Sequence, residues 1–173
     1  MRTIETVGLT LEPQVAAHAE AMFEVLSDPA IYLHENAPPE SLDWLRNRFS
    51  RLESRRSGDG TEQWLNWVIR LPDGELIGYV QASVQPDGRA DIAYVLCSAH
   101  WGRGHARRAV AAMLDELALH HHARSFAAVL KRSNVRSMRL LERLGFSAGS
   151  PEQHAAQRVL PDEALMLRGV RRR

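Results

Sequence analysis

The chain has 173 residues, 45% of them hydrophobic and 25% charged, with a formal net charge of +1. That length favours one globular domain over residues 1–173, with room for a genuine core. Near-neutral charge argues against a general nucleic-acid binder, and no window approaches the roughly 18 consecutive apolar residues that cross a bilayer.

In chain order, residues 3–11 alternate loosely and predict a first strand. Pro13 suits the opening turn of a helix whose apolar positions are Val15, Ala19, Met22, Phe23 and Leu26, stopped by Asp28-Pro29. A turn-rich connector over 28–40 leads to a second helix with Leu42, Leu45, Phe49 and Leu52 on one side. EQWLNWVIR, ELIGYVQASVQ and RADIAYVLC then read as three strands joined by two Pro-Asp-Gly turns. Proline presets the first turn dihedral, aspartate bonds back to the backbone, and glycine takes the positive φ of a tight reversal. Ala106, Ala109, Val110, Met113, Leu114 and Leu117 form one helical face. Residues 125–130 have β character, and 133–145 read as a helix with Ser133 as N-cap and Gly145 closing it. Two further strands are expected, one from Phe146 and one from Ala164 to Val170. The fold class is α/β with a mixed, α+β-type sheet: an antiparallel meander joined to a parallel β-α-β half.

Between the third meander strand and the long helix lies CSAHWGRGHARRAV, residues 97–110. Gly102 and Gly104 flank Arg103, and Arg107 and Arg108 follow within one helical turn. Cations there oppose the helix dipole, at roughly 0.3–1 kcal/mol each. An anion resolves the conflict. The glycines let the backbone approach a bulky oxyanion, the unpaired amides point at it, and Arg103, Arg107 and Arg108 become its partners. The site also follows the carboxyl end of a strand, where α/β sheets bind ligands. A P-loop would need a Lys-Ser or Lys-Thr pair after the last glycine, and the three-glycine dinucleotide fingerprint is incomplete. The pattern asks for phosphate or pyrophosphate; a solvated basic patch around an ordinary turn is the alternative.

The same run resembles the phosphate-binding signature of the GNAT superfamily of N-acetyltransferases: Gln or Arg, two residues, Gly, one residue, then Gly or Ala. Gly104 and Ala106 match, while Trp101 stands where Gln or Arg is usual. AHWGRGHARRAV is similar to the Trp-Gly-Lys-Gly-Tyr-Ala form of the RimJ/RimL-type branch, which acetylates protein N-termini and other amines. ADIAYVL, residues 90–96, resembles that branch's strand before the loop. SNVRSMRLLERLGF, residues 133–146, resembles its Asn-x-x-Ser and Leu-Gly-Phe signature. The resemblance implies splayed central strands, acetyl-CoA as co-substrate without a metal, and direct attack by a primary amine in a ternary complex. It implies a pyrophosphate on the amides of Gly102, Arg103, Gly104, His105 and Ala106, beside Trp101 and Arg107. The pantetheine arm would run along Tyr94, Val95, Leu96 and Cys97, and Asn134 would bind it or an ordered water.

Direct transfer sets three demands on the site. The amine must lose a proton, and Asp91 matches the acidic position of the family's strand, where it would accept that proton through water or hold the ammonium; a surface carboxylate near Arg89 is the alternative. The oxyanion needs a donor, for which the family uses a backbone N–H near Leu96 or Cys97. The departing thiolate needs a proton or a hydrogen bond, which the Ser of Asn-x-x-Ser, Ser137, would give. On the acceptor side stand Tyr32, His34 and Glu35 from the connector and Asn66 from the next strand. Asp28, Glu35, Glu40 and Asp43 are the acids of that region. The acceptor is expected to be a protein N-terminal α-amine or a small-molecule amine, an aminoglycoside among them. A non-catalytic, sensory CoA-binding domain is the competing reading.

Cys97, the single cysteine, excludes an internal disulfide framework and lacks a neighbouring base that would make it an acetyl-carrying nucleophile. His120, His121 and His122 point in different directions on a helix and cannot hold one metal ion. Residues 1–13 contain no apolar stretch of signal-peptide length, and Arg171 to Arg173 read as a solvated tail. The expectation is a cytoplasmic protein, monomer or homodimer, with no nucleic-acid or membrane partner.

Overall fold

The computed structural model describes residues 1–34 and 36–170; Glu35 and the arginine tail at 171–173 lie outside the described residues. The chain begins with a hairpin rather than one strand. β1 (Ile4–Thr6) and β2 (Leu9–Pro13) pair with Ile4 opposite Leu11, and Gly8 supplies the positive φ of the Val7-Gly8 turn. Pro13 therefore ends a strand, opposite Trp67, instead of opening a helix. A 3-10 turn, Ala16–His18, precedes α1 (Ala19–Val25), which buries Ala19 and Met22. α2 (Leu42–Leu52) starts at Ser41, whose hydroxyl accepts from the Trp44 amide at 3.1 Å, and turns Leu45 and Phe49 inward.

The Pro-Asp-Gly turns produce the expected meander of β3 (Gln63–Arg70), β4 (Leu76–Val84) and β5 (Arg89–Leu96). Both turns close the same way. Gly74 donates to the Leu71 carbonyl at 3.0 Å and Gly88 to that of Gln85 at 2.9 Å, each glycine at positive φ. The register across β3 and β4 shifts where Ile69 faces Gly78 but Arg70 faces Leu76, so Ile77 is the extra residue of a bulge. Next to it β4 and β5 approach closely: a Cβ on Gly78 would lie 2.0 Å from the Val95 carbonyl oxygen.

β5 passes through a 3-10 turn, Ser98–His100, and the glycine loop into α3 (His105–His120). β6 (Ser125–Lys131) returns parallel to β5, a crossover connection, but the two strands pair only over Arg89–Asp91 and Ser125–Ala127. Both continue beyond that point, so the central strands splay from Ile92 onward and leave an open wedge. α4 (Val135–Arg143) begins at Asn134, not Ser133: the Asn134 Oδ1 accepts the Ser137 amide at 3.2 Å. β7 (Ser147–Ala148) and β8 (Glu163–Gly169) finish the sheet, with α5 (Pro151–Ala156) between them. The sequence reading passed over α5, although Ser150-Pro151-Glu152-Gln153 carries its signal, a capping box with proline in the first turn.

The sheet order is β1-β2-β3-β4-β5-β6-β8-β7. Each face has its own core. α3 and α4 pack with Leu11, Trp67 and Ile92, whereas α1 and α2 pack with Val68 and Leu76. No described helix is long and apolar enough to cross a membrane.

Candidate active site

Two cavities open on the wedge. The first, of about 530 Å³, lies toward α2 and is walled by Trp44, Leu45 and Arg48. The second, of about 320 Å³, lies toward the start of α3 and is walled by Trp101 and Ala106. They meet: Ile31, His34, Tyr94, Val95, Asn134 and Ser137 line both.

At the far end of the second cavity, the glycine loop leaves backbone amides without partners. Gly102 and Gly104 both sit at φ 76°, where an L side chain would be strained. Gly104 is the N-cap of α3 and no described side chain caps it, so the first-turn amides stay open to a ligand. The first turn, His105 to Arg108, contains no acid that would compete. Arg103 and Arg107 are exposed. Arg108 departs from the expectation of a free phosphate partner, because it folds back onto the loop. Its Nη1 donates to the Arg103 carbonyl at 3.4 Å and its Nη2 approaches the His105 Nδ1 at 2.9 Å. Burial first, then the charges of Arg108, His100 and Arg103, push His105 below its ordinary value. A neutral His105 ring can accept from Arg108.

Trp101 ties this loop to the strand end. Its Nε1 donates to the Leu96 carbonyl at 2.9 Å, and the Arg136 guanidinium covers its ring 3.9 Å from the centroid. The tryptophan is both a strut beneath the loop and a wall of the cavity. The Cys97 amide donates to the Ile77 carbonyl at 2.9 Å. Alternation along an antiparallel strand then turns the Tyr94 and Leu96 amides away from β4 and into the wedge. Leu96 can thus serve as an oxyanion donor, while the Cys97 amide is engaged and its side chain lines neither cavity.

Ser137 reaches the seam between the cavities. Its amide is held by Asn134 and its carbonyl accepts from the Tyr94 hydroxyl at 3.3 Å, while its own Oγ has no partner among the described residues. Burial pushes Tyr94 up to about 12, so it stays a hydroxyl. His34 stands opposite, its Nδ1 3.0 Å from the Ser133 Oγ. Tyr32 walls the first cavity, donates to the Leu26 carbonyl at 2.6 Å, and is also raised to about 12 by burial. Asn66 lies on that cavity's floor; Glu35, the remaining expected acceptor residue, is outside the described residues.

Asp91 is not brought to the seam. It stands one sheet row beyond the cavity floor, between Ser83 and Ala127, and pairs with Arg89 at 3.0 Å. Asp28, counted among the acids of the acceptor region, is engaged elsewhere. Its carboxylate accepts the Ser98 amide at 2.6 Å and the Ala30 amide at 3.0 Å, and the Ser98 bond above all holds it below the usual carboxylate range. The Ser98 bond pins the connector, and with it Tyr32 and His34, to the end of β5, while the Ala30 bond shapes the connector's own turn.

Sequence reasoning named Asn66 on the acceptor side but missed its two neighbours on the floor of the first cavity. Gln81 sits between Asn66 and Ala93 in the sheet register, and the Gln14 amide donates to the Asn66 carbonyl at 2.9 Å, so three carboxamides form one row across neighbouring strands. Gln14 and Asn66 are 2% and 5% exposed, and the Gln14 Nε2 has no acceptor among the described residues. A buried polar group without a partner costs about 1–3 kcal/mol, so its retention points to a ligand or water. The available signal was Asn66 and Gln81 interrupting two otherwise apolar strands; their alignment was not readable without the register.

Set against known proteins, the chain matches the acetyltransferase (GNAT) domain family over residues 8–147. It is 27% identical over 148 residues to an uncharacterized N-acetyltransferase, p20, of Bacillus licheniformis, covering 84% of this chain and 83% of that protein. Its fold superposes on RimL, a ribosomal L7/L12 alpha-N-protein acetyltransferase solved with coenzyme A, with a TM-score of 0.81, 18% identity and 98% of each chain covered. An aminoglycoside acetyltransferase, also solved with coenzyme A, superposes with a TM-score of 0.73 at 19% identity, covering 93% of this chain and 94% of that one.

Proposed function

The chain belongs to the GNAT acetyltransferase family, and on that premise we propose that it transfers the acetyl group of acetyl-CoA to a primary amine by direct attack in a ternary complex. The observation that carries this reading is the meeting of two cavities at one seam of the wedge, where Ser137 and His34 line both. A coenzyme A suits the second cavity. The open amides and positive-φ glycines of the loop fit its pyrophosphate, with Arg103 and Arg107 beside them, and Leu96, Trp101 and Ala106 wall the path of its arm.

Bound acetyl-CoA supplies a thioester carbonyl; the remaining work falls to the chain. The Leu96 amide, directed into the wedge, donates to charge developing on the carbonyl oxygen. The uncommitted Ser137 hydroxyl donates to the sulfur as it departs. His34 takes the proton of the attacking amine: in the tautomer whose Nδ1–H donates to the Ser133 Oγ, its Nε2 is the acceptor. Asp91, held by Arg89 outside both cavities, has no part in that step. Asn134 orients Ser137 through the helix cap and walls the coenzyme path. Cys97, whose side chain lines neither cavity, carries no acetyl group.

The test offers acetyl-CoA with a panel of amines and amino-terminal peptides and follows free thiol. Turnover with at least one acceptor, reduced in His34→Gln, is the expected result. Thermal stabilisation by coenzyme A with no thiol release across the panel would favour a non-catalytic sensory domain instead.

A further inference from the structure

The first cavity's lining selects the acceptor. Along its floor run Gln14, Asn66 and Gln81, three carboxamides aligned from the end of β2 across β3 and β4, two of them buried, with the Tyr79 phenol beside them. The Gln14 Nε2 is a buried donor without an acceptor among the described residues. At the α2 wall stands Arg48, its guanidinium 5.6 Å from the Trp44 ring centroid and in no ion pair with a described carboxylate. None of the described residues lining this cavity is acidic, since Asp28 is tied to Ser98 and Asp43 pairs with Arg46 outside it.

A guanidinium together with an unanswered amide donor complements oxygen anions and repels further cations. A polycation such as a polyamine would meet one positive charge and no described counter-charge, whereas a carboxylate answers Arg48 in a cavity that the Gln14 row also lines. Building on the acetyltransferase reading, we infer that the acceptor is an amino carboxylate, a free amino acid or close derivative, held through its carboxylate by Arg48 and the Gln14 row while its amine faces the seam. Asn66 and Gln81, each offering both a donor and an acceptor, complete the polar floor, and Trp44, Ile31 and Tyr32 leave an apolar wall for the side chain. A protein amino terminus, whose nearest carboxylate is displaced by a peptide bond, fits this lining less well.

Binding decides this without relying on turnover. The protein, alone and loaded with non-acetylated coenzyme A, is titrated calorimetrically with matched series of amino acids, their carboxamides and their decarboxylated amines. Each series spans aliphatic, aromatic and polar side chains. The expected result is at least one amino acid bound tenfold or more tighter than both its carboxamide and its amine. Arg48→Gln, at an exposed position, is expected to erase that preference while coenzyme A affinity and melting temperature stay unchanged. Carboxamides or amines binding as tightly as the acids, no amino acid binding in any series, or an Arg48→Gln protein that keeps the preference would each overturn the inference. Thiol release with the same compounds is read separately: a bound amino acid that is never acetylated would sink the transferase reading and leave the carboxylate site standing.

Discussion

Replacing Ser137 by alanine separates chemistry from folding at one atom. Ser137 supports the fold through its backbone: the amide is received by Asn134 and the carbonyl receives the Tyr94 hydroxyl. Alanine retains both bonds, and the deleted Oγ has no partner among the described residues. Alanine is also the better helix former by a few tenths of a kcal/mol. With roughly 2–4 °C per kcal/mol for a chain of this size, the melting temperature should stay within about 2 °C of wild type. Catalysis should not be spared. A hydrogen bond to a charged group contributes about 1.5–3 kcal/mol, which at tenfold per 1.36 kcal/mol lowers kcat roughly 10–150-fold. Thiol release under saturating acetyl-CoA and the best acceptor measures the rate; a thermal melt and a coenzyme A titration measure the rest. An unchanged kcat would refute the proton-donor role, and a melt lowered by several degrees would show that the serine acts in packing.

Gly78→Ala places a Cβ 2.0 Å from the Val95 carbonyl oxygen and 2.9 Å from the Leu96 Cα, both backbone atoms. The overpacking should cost about 3 kcal/mol, lowering the melt by roughly 6–12 °C, and a shift under 2 °C would contradict the close β4–β5 approach. Trp101→Phe keeps a ring beneath Arg136 but deletes the donor to the Leu96 carbonyl. A loss of about 0.5–1.5 kcal/mol in chemical denaturation is expected, and none at all would mean the indole nitrogen holds nothing in place. His18, His105 and His121 are each held below the ordinary histidine value, chiefly by burial. Between those lowered values and about 6.5 the unfolded chain binds more protons, so stability rises with pH across that window. The melting temperature at pH 5 should lie below that at pH 7.5, and a flat or inverted profile would show that these rings are not sheltered.

What was legible in the sequence was local chemistry with a single geometric solution. Pro-Asp-Gly twice between β-branched runs leaves few options but a meander, and the turns at Gly74 and Gly88 close alike. Two glycines before an alanine-rich periodic run gave the open helix start, and the motif around Asn134 and Ser137 gave the opening turn of α4. Tertiary context overrode weaker signals. Pro13 could open a helix or end a strand, and pairing with Trp67 decided for the strand. Ser133 and Asn134 are both good caps; the one whose side chain faced the Ser137 amide became the cap, leaving Ser133 to meet His34. Side-chain direction was least readable. Arg108 folds onto its own loop, a choice set by nearby donors and acceptors rather than by spacing, whereas the Arg89–Asp91 pair follows from two residues on one strand face. The carboxamide row depends on three strands aligning residues 14, 66 and 81, and only the register reveals it.

Calorimetric titration with coenzyme A and with pantetheine, which shares the arm but lacks the pyrophosphate and the nucleotide beyond it, goes most directly to the glycine loop. If the amides after Trp101 grip a diphosphate with the help of Arg103 and Arg107, two charge-assisted contacts of about 1.5 kcal/mol each should make coenzyme A bind roughly 100-fold tighter. Equal affinities for the two ligands, with the protein folded, would contradict it.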